Sequence, residues 1–375
     1  MGSETMVPDD PWAVLVRRED PSRTRTVREN PLPLRPEQVR LRVERFGLTA
    51  NNVTYARLGD SELPFWDAFP APDGWGRVPV WGYSRVVESR HPEVPVGRRH
   101  FGYLPMGSHH TLTVRSRTDH LLDDSPQRAF LHPWYLTHRR CRGPGEEDDL
   151  RTLLRPLYPA SYNVAALVTE LSGKGARSLV VTSASSRTAL GLVDLLKGGD
   201  DLVTLGLTAP ERRDVLRSMD VYNRVLAYEE LDRAFLPAPT VFVDFSGDEE
   251  RISNVYRRLG GDILHTALVG YTHPRARIEP PDLHDPRPEI FFTPDREAER
   301  EEREGPGTYR RAYVEAEERF VREARSWLRV RHRRGPREIV TAWSDLLNEP
   351  ASPLTGDVCV PEPRPSDPPG NRNEE

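Results

Sequence analysis

Cysteine is almost absent from this chain of 375 residues, which has only Cys141 and Cys359. Two cysteines far apart in the sequence exclude a disulfide framework and a cysteine-rich zinc lobe. Long apolar stretches are absent as well, since none approaches the roughly 20 residues of a membrane span. The first residues, MGSETMVPDD, lack the apolar core of a signal peptide. These absences predict a cytoplasmic protein without a membrane partner.

Lysine is equally scarce, because Lys174 and Lys197 are the only two and arginine supplies the rest of the positive charge. The formal net charge of −5 gives no reason to expect a nucleic-acid partner. Histidine forms no metal-binding pattern either. His109 and His110 are adjacent on a predicted strand, where neighbouring side chains point to opposite faces, and no carboxylates stand at a matching spacing. We therefore expect no metal site.

The first 149 residues are rich in predicted strands. Short β-like runs, separated by proline, glycine and asparagine, cover residues 12–18, 38–47, 77–89 and 110–116. In the second run, Val39, Leu41 and Val43 alternate with charged residues, as in a strand with one buried face. This region predicts a β-rich barrel or sandwich, followed by a solvated loop.

From residue 150 the pattern changes to apolar strands separated by helices. The predicted strands cover residues 178–183, 201–208, 224–228, 240–247 and 262–271. Between the last two, apolar residues follow the i, i+3, i+4, i+7 spacing of one helix face: Ile252, Val255, Tyr256 and Leu259. This alternation predicts a doubly wound parallel sheet over residues 150–290. After it we expect two helices, near 309–329 and 336–347, a strand at 356–360 and a disordered tail at 361–375.

The first of these strands leads into a candidate phosphate-binding corner. A strand, a tight turn of small side chains at 184–188 and a helix together suit a pyrophosphate, which binds the N–H groups of the helix N-terminus. The glycines of the G-x-G-x-x-G pattern are replaced by Ala184, Ser186 and Ala189. We expect Arg187 in the turn to contact a cofactor phosphate with its directed guanidinium donors. The alternative is a solvated surface arginine.

Hydroxyl groups at the same corner have two interpretations. They either donate hydrogen bonds to the cofactor phosphates or cap the helix. The residues concerned are Ser183, Ser185, Ser186 and Thr188.

The end of the second strand indicates the kind of dinucleotide. NAD-binding proteins usually have a carboxylate there for the ribose hydroxyls, whereas this chain has Thr208, followed by Arg212 and Arg213 in the next turn. The missing carboxylate and the nearby arginines favour the 2′-phosphate of NADPH; the alternative is that Arg212 belongs to an ordinary solvated helix. Ligands bind at the carboxyl ends of parallel strands, so residues that end the fourth and fifth strands are expected to line the nicotinamide end. These are Asp244, Gly247, Val269 and Gly270.

Several strings in this order of elements resemble the medium-chain dehydrogenase/reductase superfamily. Residues 39–59, with Tyr55, Arg57 and Gly59, are similar to the segment in which such enzymes place substrate-pocket residues, and residues 77–109 are similar to the strands that follow it. The resemblance is closest to zinc-free, quinone-reductase-like members. Among these it is closest to a family of unknown function that shares the strings LLRPLYPASY, SASSRTA and VDFSG. The superfamily implies an α/β protein of two domains. These are a GroES-like domain at 1–149, completed by C-terminal helices that return to it at 305–362, and a Rossmann-type domain at 150–290.

The resemblance also implies an activity. It implies a zinc-independent, NADPH-dependent oxidoreductase that reduces an activated double bond of an enone, quinone or enoyl-type substrate in a cleft between the domains, and a possible homodimer. It points to Tyr55, Asn52 and Tyr162 as catalytic residues, because a hydroxyl donor polarises the substrate or protonates it; the alternative is that the tyrosines only pack. The altered glycine pattern motivates two rival interpretations. One is a catalytically silent NADP(H)-binding or sensing protein, and the other is a turn that binds another phosphorylated ligand.

Overall fold

The protein divides into two compact units. The structure, a computed structural model, describes residues 10–60, 64–199, 202–270, 283, 286–348 and 352–362. Unit 1 consists of Met1–Leu153 and Trp327–Glu375, and unit 2 of Leu154–Ser326. Of the predicted disordered tail, residues 363–375 lie outside the described residues, as does Tyr271 at the end of the fifth predicted strand.

Unit 1 is built mainly from antiparallel strands. Its strands are β1 (Trp12–Arg17), β2 (Thr24–Arg28), β3 (Gln38–Leu48), β4 (Trp75–Gly76), β5 (Pro79–Ser89), β6 (Arg99–Pro105), β7 (His109–Ser116), β8 (His120–Asp123), β9 (Thr137–Cys141), β16 (Arg329–Arg334) and β17 (Thr355–Val360). Its helices are α1 (Ala50–Arg57), α2 (Pro133–Leu136), α3 (Asp148–Leu154) and α10 (Gly335–Asn348). A small sheet has the order β2-β1-β4, and a large one the order β16-β17-β3-β5-β6-β9-β8-β7.

A second pairing of β3 closes part of the large sheet. Because β3 also pairs with β7, the strands β3, β5, β6, β9, β8 and β7 form a closed barrel. The alternation in β3 is as predicted, since Val39, Leu41 and Val43 are buried and the residues between them are partly exposed. The C-terminal segment joins this unit through β16, α10 and β17, and Trp343 of α10 is fully buried. The C-terminal part of unit 1 therefore begins at Trp327, whereas the sequence analysis predicted that it begins at residue 305.

Unit 2 contains one parallel sheet. Its strands are β10 (Ser178–Val181), β11 (Val203–Thr208), β12 (Arg224–Ala227), β13 (Thr240–Asp244), β14 (Ile263–Leu268) and β15 (Glu289–Ile290). Its helices are α4 (Tyr158–Gly173), α5 (Arg187–Leu196), α6 (Pro210–Ser218), α7 (Glu249–Leu259), α8 (Thr293–Glu304) and α9 (Pro306–Ala324). The strand order is β12-β11-β10-β13-β14-β15, and every pairing is parallel. The α/β fold with a Rossmann-type sheet is thus confirmed.

The strand order places the predicted corner at the centre of this sheet. Strand β10 is buried along its whole length between β11 and β13, so its carboxyl end is the point from which the sheet extends in both directions. Such a switch point is where ligands bind in open parallel sheets. Helix α7 buries the four residues that the helical spacing identified, and the Asp248 side chain caps it by accepting from the N–H of Glu250 at 3.0 Å and of Arg251 at 3.2 Å. Among the described helices, none is both long and apolar enough to span a bilayer.

Candidate functional site

The turn between β10 and α5 has an unusual backbone at its first serine. Ser183 has a φ of +46°, in the left-handed region that side chains rarely adopt. Its carbonyl accepts a hydrogen bond from the Ser186 N–H at 2.8 Å. Ser186 is the N-cap of α5, because its hydroxyl accepts from the Ala189 N–H at 3.2 Å. Of the two interpretations of Ser186, the structure therefore supports capping.

The remainder of the turn is fastened to β11. The Thr208 hydroxyl donates to the Ser185 hydroxyl at 3.2 Å, and both side chains are buried. The Ala184 N–H donates to the Leu207 carbonyl at 3.0 Å. These bonds occupy the Ser185 hydroxyl as an acceptor and the Ala184 N–H as a donor. The N–H groups of Ser185 and Thr188, in contrast, have no acceptor within the described residues, and Arg187 is the half-buried first residue of α5 beside them.

A tyrosine from the next strand but one reaches this turn. The Tyr228 hydroxyl, just after β12, accepts a hydrogen bond from the Ser183 N–H at 2.7 Å. The guanidinium of Arg251, in the first turn of α7, lies over the Tyr228 ring at 4.0 Å. Burial raises the pKa of Tyr228, although the positive charge of Arg251 opposes the shift.

Arg212 joins this group from α6. Burial lowers the pKa of Arg212, and the like charge of Arg251 adds a smaller contribution, whereas the negative charge of Glu211 and the Tyr228 hydroxyl oppose the shift. No hydrogen-bond acceptor or carboxylate partner for Arg212 is found in the part of the chain that the structure describes. The next residue, Arg213, bonds to Asp214 and Glu230, both at 3.1 Å. We call Arg212, Tyr228 and Arg251 the cationic group.

Asp244 and its loop lie at the end of β13. The fully buried Asp244 carboxylate accepts from the Thr182 hydroxyl, from the Ser246 hydroxyl at 2.7 Å and from the Gly247 N–H at 2.7 Å. Burial raises the pKa of Asp244 despite these bonds. Its carbonyl accepts from the N–H groups of Val269 at 2.8 Å and Gly270 at 3.2 Å.

The structure thus brings together the predicted nicotinamide-end residues. It commits the carboxylate of Asp244 to holding the loop, so this side chain supports the site rather than reaching into it. A side chain on Gly270 would place Cβ only 2.5 Å from the Phe245 carbonyl oxygen. Glycine is therefore required at 270 by packing.

In unit 1, the predicted residues Tyr55 and Asn52 lie on α1 and have different roles. The Asn52 amide accepts from the Thr49 N–H at 2.7 Å and donates to the Pro79 carbonyl at 2.8 Å. It is a buried residue that caps α1. The Tyr55 oxygen accepts from Asn51 Nδ2 at 2.8 Å and from Trp81 Nε1 at 3.2 Å. Burial raises the pKa of Tyr55 to about 12, so its hydroxyl stays protonated at neutral pH.

Tyr55 belongs to a large aromatic cluster. We use this name for the packed residues Tyr55, Phe65, Phe69, Trp81, Tyr83, Phe101, Tyr103, Trp134 and Tyr135. Tyr103 lies at its centre, with ring centroids 5.8 Å from Tyr55, 5.2 Å from Trp81 and 5.3 Å from Tyr135. The Tyr103 hydroxyl is buried and has no hydrogen-bond partner in the described ranges.

Tyr162 lies in unit 2, on α4, among other aromatic side chains. Its ring centroid is 5.7 Å from that of Tyr309 and 5.3 Å from that of Tyr313, both on α9. The Arg300 guanidinium lies 4.6 Å from the Tyr162 ring. This environment is that of a residue packing α4 against α8 and α9, which was the alternative interpretation of this tyrosine.

Sequence reasoning missed Tyr228, Arg251 and Tyr103. Tyr228 and Arg251 come from segments 45 and 68 positions beyond Ser183 in the numbering, and only the sheet order brings them to the corner. A usable signal existed for Tyr228, because it is the last residue of a predicted strand and the carboxyl ends of parallel strands meet at one edge of the sheet. No group of three or more potential metal ligands occurs among the described side chains.

Comparison with known proteins identifies the fold and the family. A model of the family described as "Protein of unknown function (DUF2855)" matches residues 46–352. No curated protein matches the sequence. CurA from Vibrio vulnificus, solved in complex with NADPH, is 13% identical, with a TM-score of 0.59 over 93% of this chain and 98% of CurA.

Two further solved structures cover nearly the whole chain. Etr1p, in its complex with NADP and crotonyl-CoA, is 10% identical, with a TM-score of 0.55 over 95% of this chain and all of Etr1p (100%). The CurK enoyl reductase is 12% identical, with a TM-score of 0.52 over 94% of this chain and 99% of its own. The chain therefore shares the fold of these three proteins, and the predicted fold is confirmed.

Proposed function

The chain belongs to the DUF2855 family, and from that premise and the geometry of its two units we propose that it is a zinc-independent, NADPH-dependent reductase of an activated double bond. CurA and Etr1p, which share its fold, were solved with NADPH and NADP. The observation that carries the proposal is the cationic group beside the β10–α5 turn.

The cationic group suits a phosphate on the adenosine ribose. Arg212 is partly buried without a carboxylate partner among the described residues, and Arg251 lies nearby on the Tyr228 ring. Two guanidinium groups held close together repel each other, and an anion between them removes that repulsion. The end of β11 has Gly206, Leu207 and Thr208, so no carboxylate there opposes a 2′-phosphate.

The turn itself suits the pyrophosphate. The N–H groups of Ser185 and Thr188 have no acceptor in the described part of the chain, and the N-terminus of α5 adds its partial positive charge. Arg187 stands at the first position of that helix. Glycines are not required for this contact, because backbone N–H groups make it. Any side chain that is small enough to let the pyrophosphate approach the backbone is compatible with it.

Tyr55 is the candidate for polarising the substrate. Bound NADPH supplies a hydride. The Tyr55 oxygen accepts hydrogen bonds from Asn51 and Trp81, so the hydroxyl proton is directed away from both. A protonated hydroxyl with its lone pairs occupied is a donor, and a donor to a carbonyl oxygen stabilises the negative charge that develops there on reduction.

Two neighbouring arginines provide a matched test. Arg212→Gln is expected to weaken NADPH binding by about 1.5–3 kcal/mol, the contribution of a charged hydrogen bond, and to leave NADH binding unchanged. Arg213→Gln is the control, since Arg213 is already paired with Asp214 and Glu230. Both affinities are measured by titration, following the fluorescence of the reduced nicotinamide.

The outcomes separate the proposal from its rivals. An Arg212→Gln variant that loses affinity for NADPH and NADH equally, or for neither, contradicts the assignment of the 2′-phosphate. Tight NADPH binding without oxidation of NADPH by any enone, quinone or enoyl thioester supports the silent, sensing alternative. Failure to bind either dinucleotide leaves a different phosphorylated ligand for the corner, for which coenzyme A is the probe to use.

A further inference from the structure

The aromatic cluster of unit 1 contains hydroxyl groups whose protons have no hydrogen-bond acceptor among the described residues. Tyr103 is buried, and its hydroxyl has no partner among the described residues. The Tyr55 oxygen accepts from Asn51 and Trp81, and in the same part of the chain no acceptor receives its proton. Buried polar groups are nearly always hydrogen-bonded, so two such donors in one cluster require an explanation.

These hydroxyls are protonated and close to each other. The rings of Tyr55 and Tyr103 meet edge to face with centroids 5.8 Å apart. Burial raises the pKa of Tyr103, and the neighbouring hydroxyls of Tyr55 and Tyr135 add to the shift. Both groups are therefore donors at neutral pH, and the group that satisfies them must be an acceptor.

The surroundings indicate a flat and neutral ligand. Trp81 is packed 4.9 Å from Trp134 and 5.2 Å from Tyr103, the spacing of aromatic pairs. The charged group that acts on Tyr103 is the Arg128 guanidinium, which already donates to the Asp123 carboxylate and to the Ala68 carbonyl. An arginine whose donors already have these acceptors does not attract an anion. The aromatic side chains can pack against a conjugated ring, and the two phenol hydroxyls can donate to a carbonyl oxygen on it.

One side of the cluster reaches the protein surface. Trp134 and Tyr135 are partly exposed, and both are carried by the four-residue helix α2. Their rings contact Trp81 and Tyr103 at 4.9 and 5.3 Å. A ligand ring that takes the place of one of them keeps the same kind of contact.

We propose that the aromatic cluster is a binding site for a neutral, planar aromatic ketone, which enters from the side of α2 and whose oxygen accepts hydrogen bonds from Tyr103 and Tyr55. The statement that this ligand is the substrate rests on the proposed reductase function, but its binding does not. Tyr103 is then a ligand-binding residue that no sequence motif reveals.

Two probes with the same ring test the site without NADPH. Binding of 2-acetylnaphthalene and of 2-ethylnaphthalene is followed by quenching of tryptophan fluorescence, which reports on unit 1 because all seven tryptophans lie there. The ketone is expected to bind about tenfold more tightly than the hydrocarbon, the value of one net hydrogen bond in a buried site. Equal affinities, or binding of neither probe, overturn the proposal.

Variants locate the contact. Tyr103→Phe is expected to weaken ketone binding about fivefold and to leave hydrocarbon binding unchanged, since only a hydroxyl is removed. Its unfolding midpoint should equal or exceed that of the wild type, because the hydroxyl has no partner to lose. Tyr158→Phe is the control, because Tyr158 is an equally buried tyrosine of unit 2 whose hydroxyl also has no partner among the described residues, and this variant should bind both probes normally. Wild-type ketone affinity in Tyr103→Phe overturns the role of Tyr103.

A second variant tests the side of entry. In the wild type the ligand must displace the Tyr135 ring, which costs free energy. Tyr135→Ala removes that ring and its cost, so both probes should bind about threefold more tightly. Weaker binding of both probes contradicts entry from α2. A protein that binds the ketone but not NADPH keeps this site and refutes the reductase, so the two proposals fail separately.

Discussion

Arginine side chains have different surroundings in the two units. In unit 1, the buried Arg128 has the Asp123 carboxylate and the Ala68 carbonyl as acceptors. In unit 2, Arg212 is partly buried and makes no ion pair in the described part of the chain, and the ion pair of Arg251 with Asp248 is stretched to 4.0 Å. Unit 1 pairs its buried charge internally, whereas unit 2 leaves cations beside a helix N-terminus.

The unpartnered groups of the two units differ accordingly. In unit 1 the buried atoms without hydrogen-bond partners among the described residues include neutral rings and hydroxyls, such as those of His138, His100 and Tyr103. They also include single nitrogens of Arg40, Arg45 and Arg99, but each of these arginines forms an ion pair with a carboxylate. Since burial of an unpaired charge is far less favourable than burial of a neutral polar group, unpaired cations indicate an anionic ligand and unpaired hydroxyls a neutral one. This difference is the reason that the two proposed ligands are of different types, an anionic one for unit 2 and a neutral one for unit 1.

The largest expected effect comes from breaking a paired arginine. Arg128→Met leaves the Asp123 carboxylate buried without its partner, so the free energy of unfolding of unit 1 should fall by about 3–5 kcal/mol. Urea unfolding followed by tryptophan fluorescence measures this effect, because the tryptophans belong to unit 1.

Arg212→Met is the matched change in unit 2. It removes a desolvated cation that makes no ion pair among the described residues and interacts with Glu211 only at longer range. The stability of the protein, followed by circular dichroism, should therefore change by less than about 0.5 kcal/mol. The double variant Arg128→Met/Asp123→Leu should recover most of the loss, since it leaves no buried charge. Equal losses for the two single variants would abolish the distinction between the units.

The stability of the protein at low pH tests whether the buried histidines of unit 1 are neutral. Burial lowers the pKa of His138 to about 4 and that of His100 to about 3. Because the unfolded chain takes up these protons near pH 6.5 and the folded chain does not, stability is complete above pH 6.5 and falls as the pH decreases towards 4. His138 alone should account for roughly 3 kcal/mol of that loss at pH 4.

A variant tests whether the His138 imidazole causes this loss of stability in acid. His138→Leu should flatten the fall in stability between pH 6.5 and 4 while keeping the stability at pH 7, because neither ring nitrogen has a partner within the described ranges. His120→Leu, at a more exposed position on β8, should leave the acid loss intact. An unchanged pH profile in His138→Leu would show that another group takes up the proton.

Local patterns in the sequence predicted the elements of the fold and part of the site. The spacing of Ile252 and Val255 identified α7, and the small residues after Val181 identified the corner. These signals are local, since they depend on residues within one turn or one strand. Arg212 was proposed as a site residue in the same way, because it lies in the first turn after the end of its strand at Thr208.

Features that depend on distant segments escaped prediction. Tyr228 and Arg251 reach the corner through the order of β12 and β13 in the sheet, which no spacing in the chain encodes. The unused hydroxyl of Tyr103 depends on packing between strands and α2. Asn52, expected to be catalytic, has the pattern of an amide that caps a helix, and only its bonds to Thr49 and Pro79 reveal that role.

The smallest effect concerns the backbone of the corner in unit 2. The glycine pattern was compared at Ala184, Ser186 and Ala189, but the residue in the left-handed region is Ser183, with a φ of +46°. Left-handed backbone costs a residue with a side chain about 1–2 kcal/mol, and glycine avoids this at a smaller entropic cost. Ser183→Gly should therefore stabilise unit 2 by about 0.5 kcal/mol, as measured by urea unfolding with circular dichroism.

NADPH binding sharpens this prediction. The Ser183 contact with Tyr228 is made by the backbone N–H, so Ser183→Gly should bind NADPH as the wild type does. Ser185→Gly is the neighbouring control, because it loses the hydroxyl that accepts from Thr208 and should destabilise the protein by about 1 kcal/mol. A destabilised Ser183→Gly would mean that the serine side chain holds the turn. A stabilised variant with normal affinity would mean that the corner binds phosphate through its backbone and its cations, and that serine replaces glycine there at little cost.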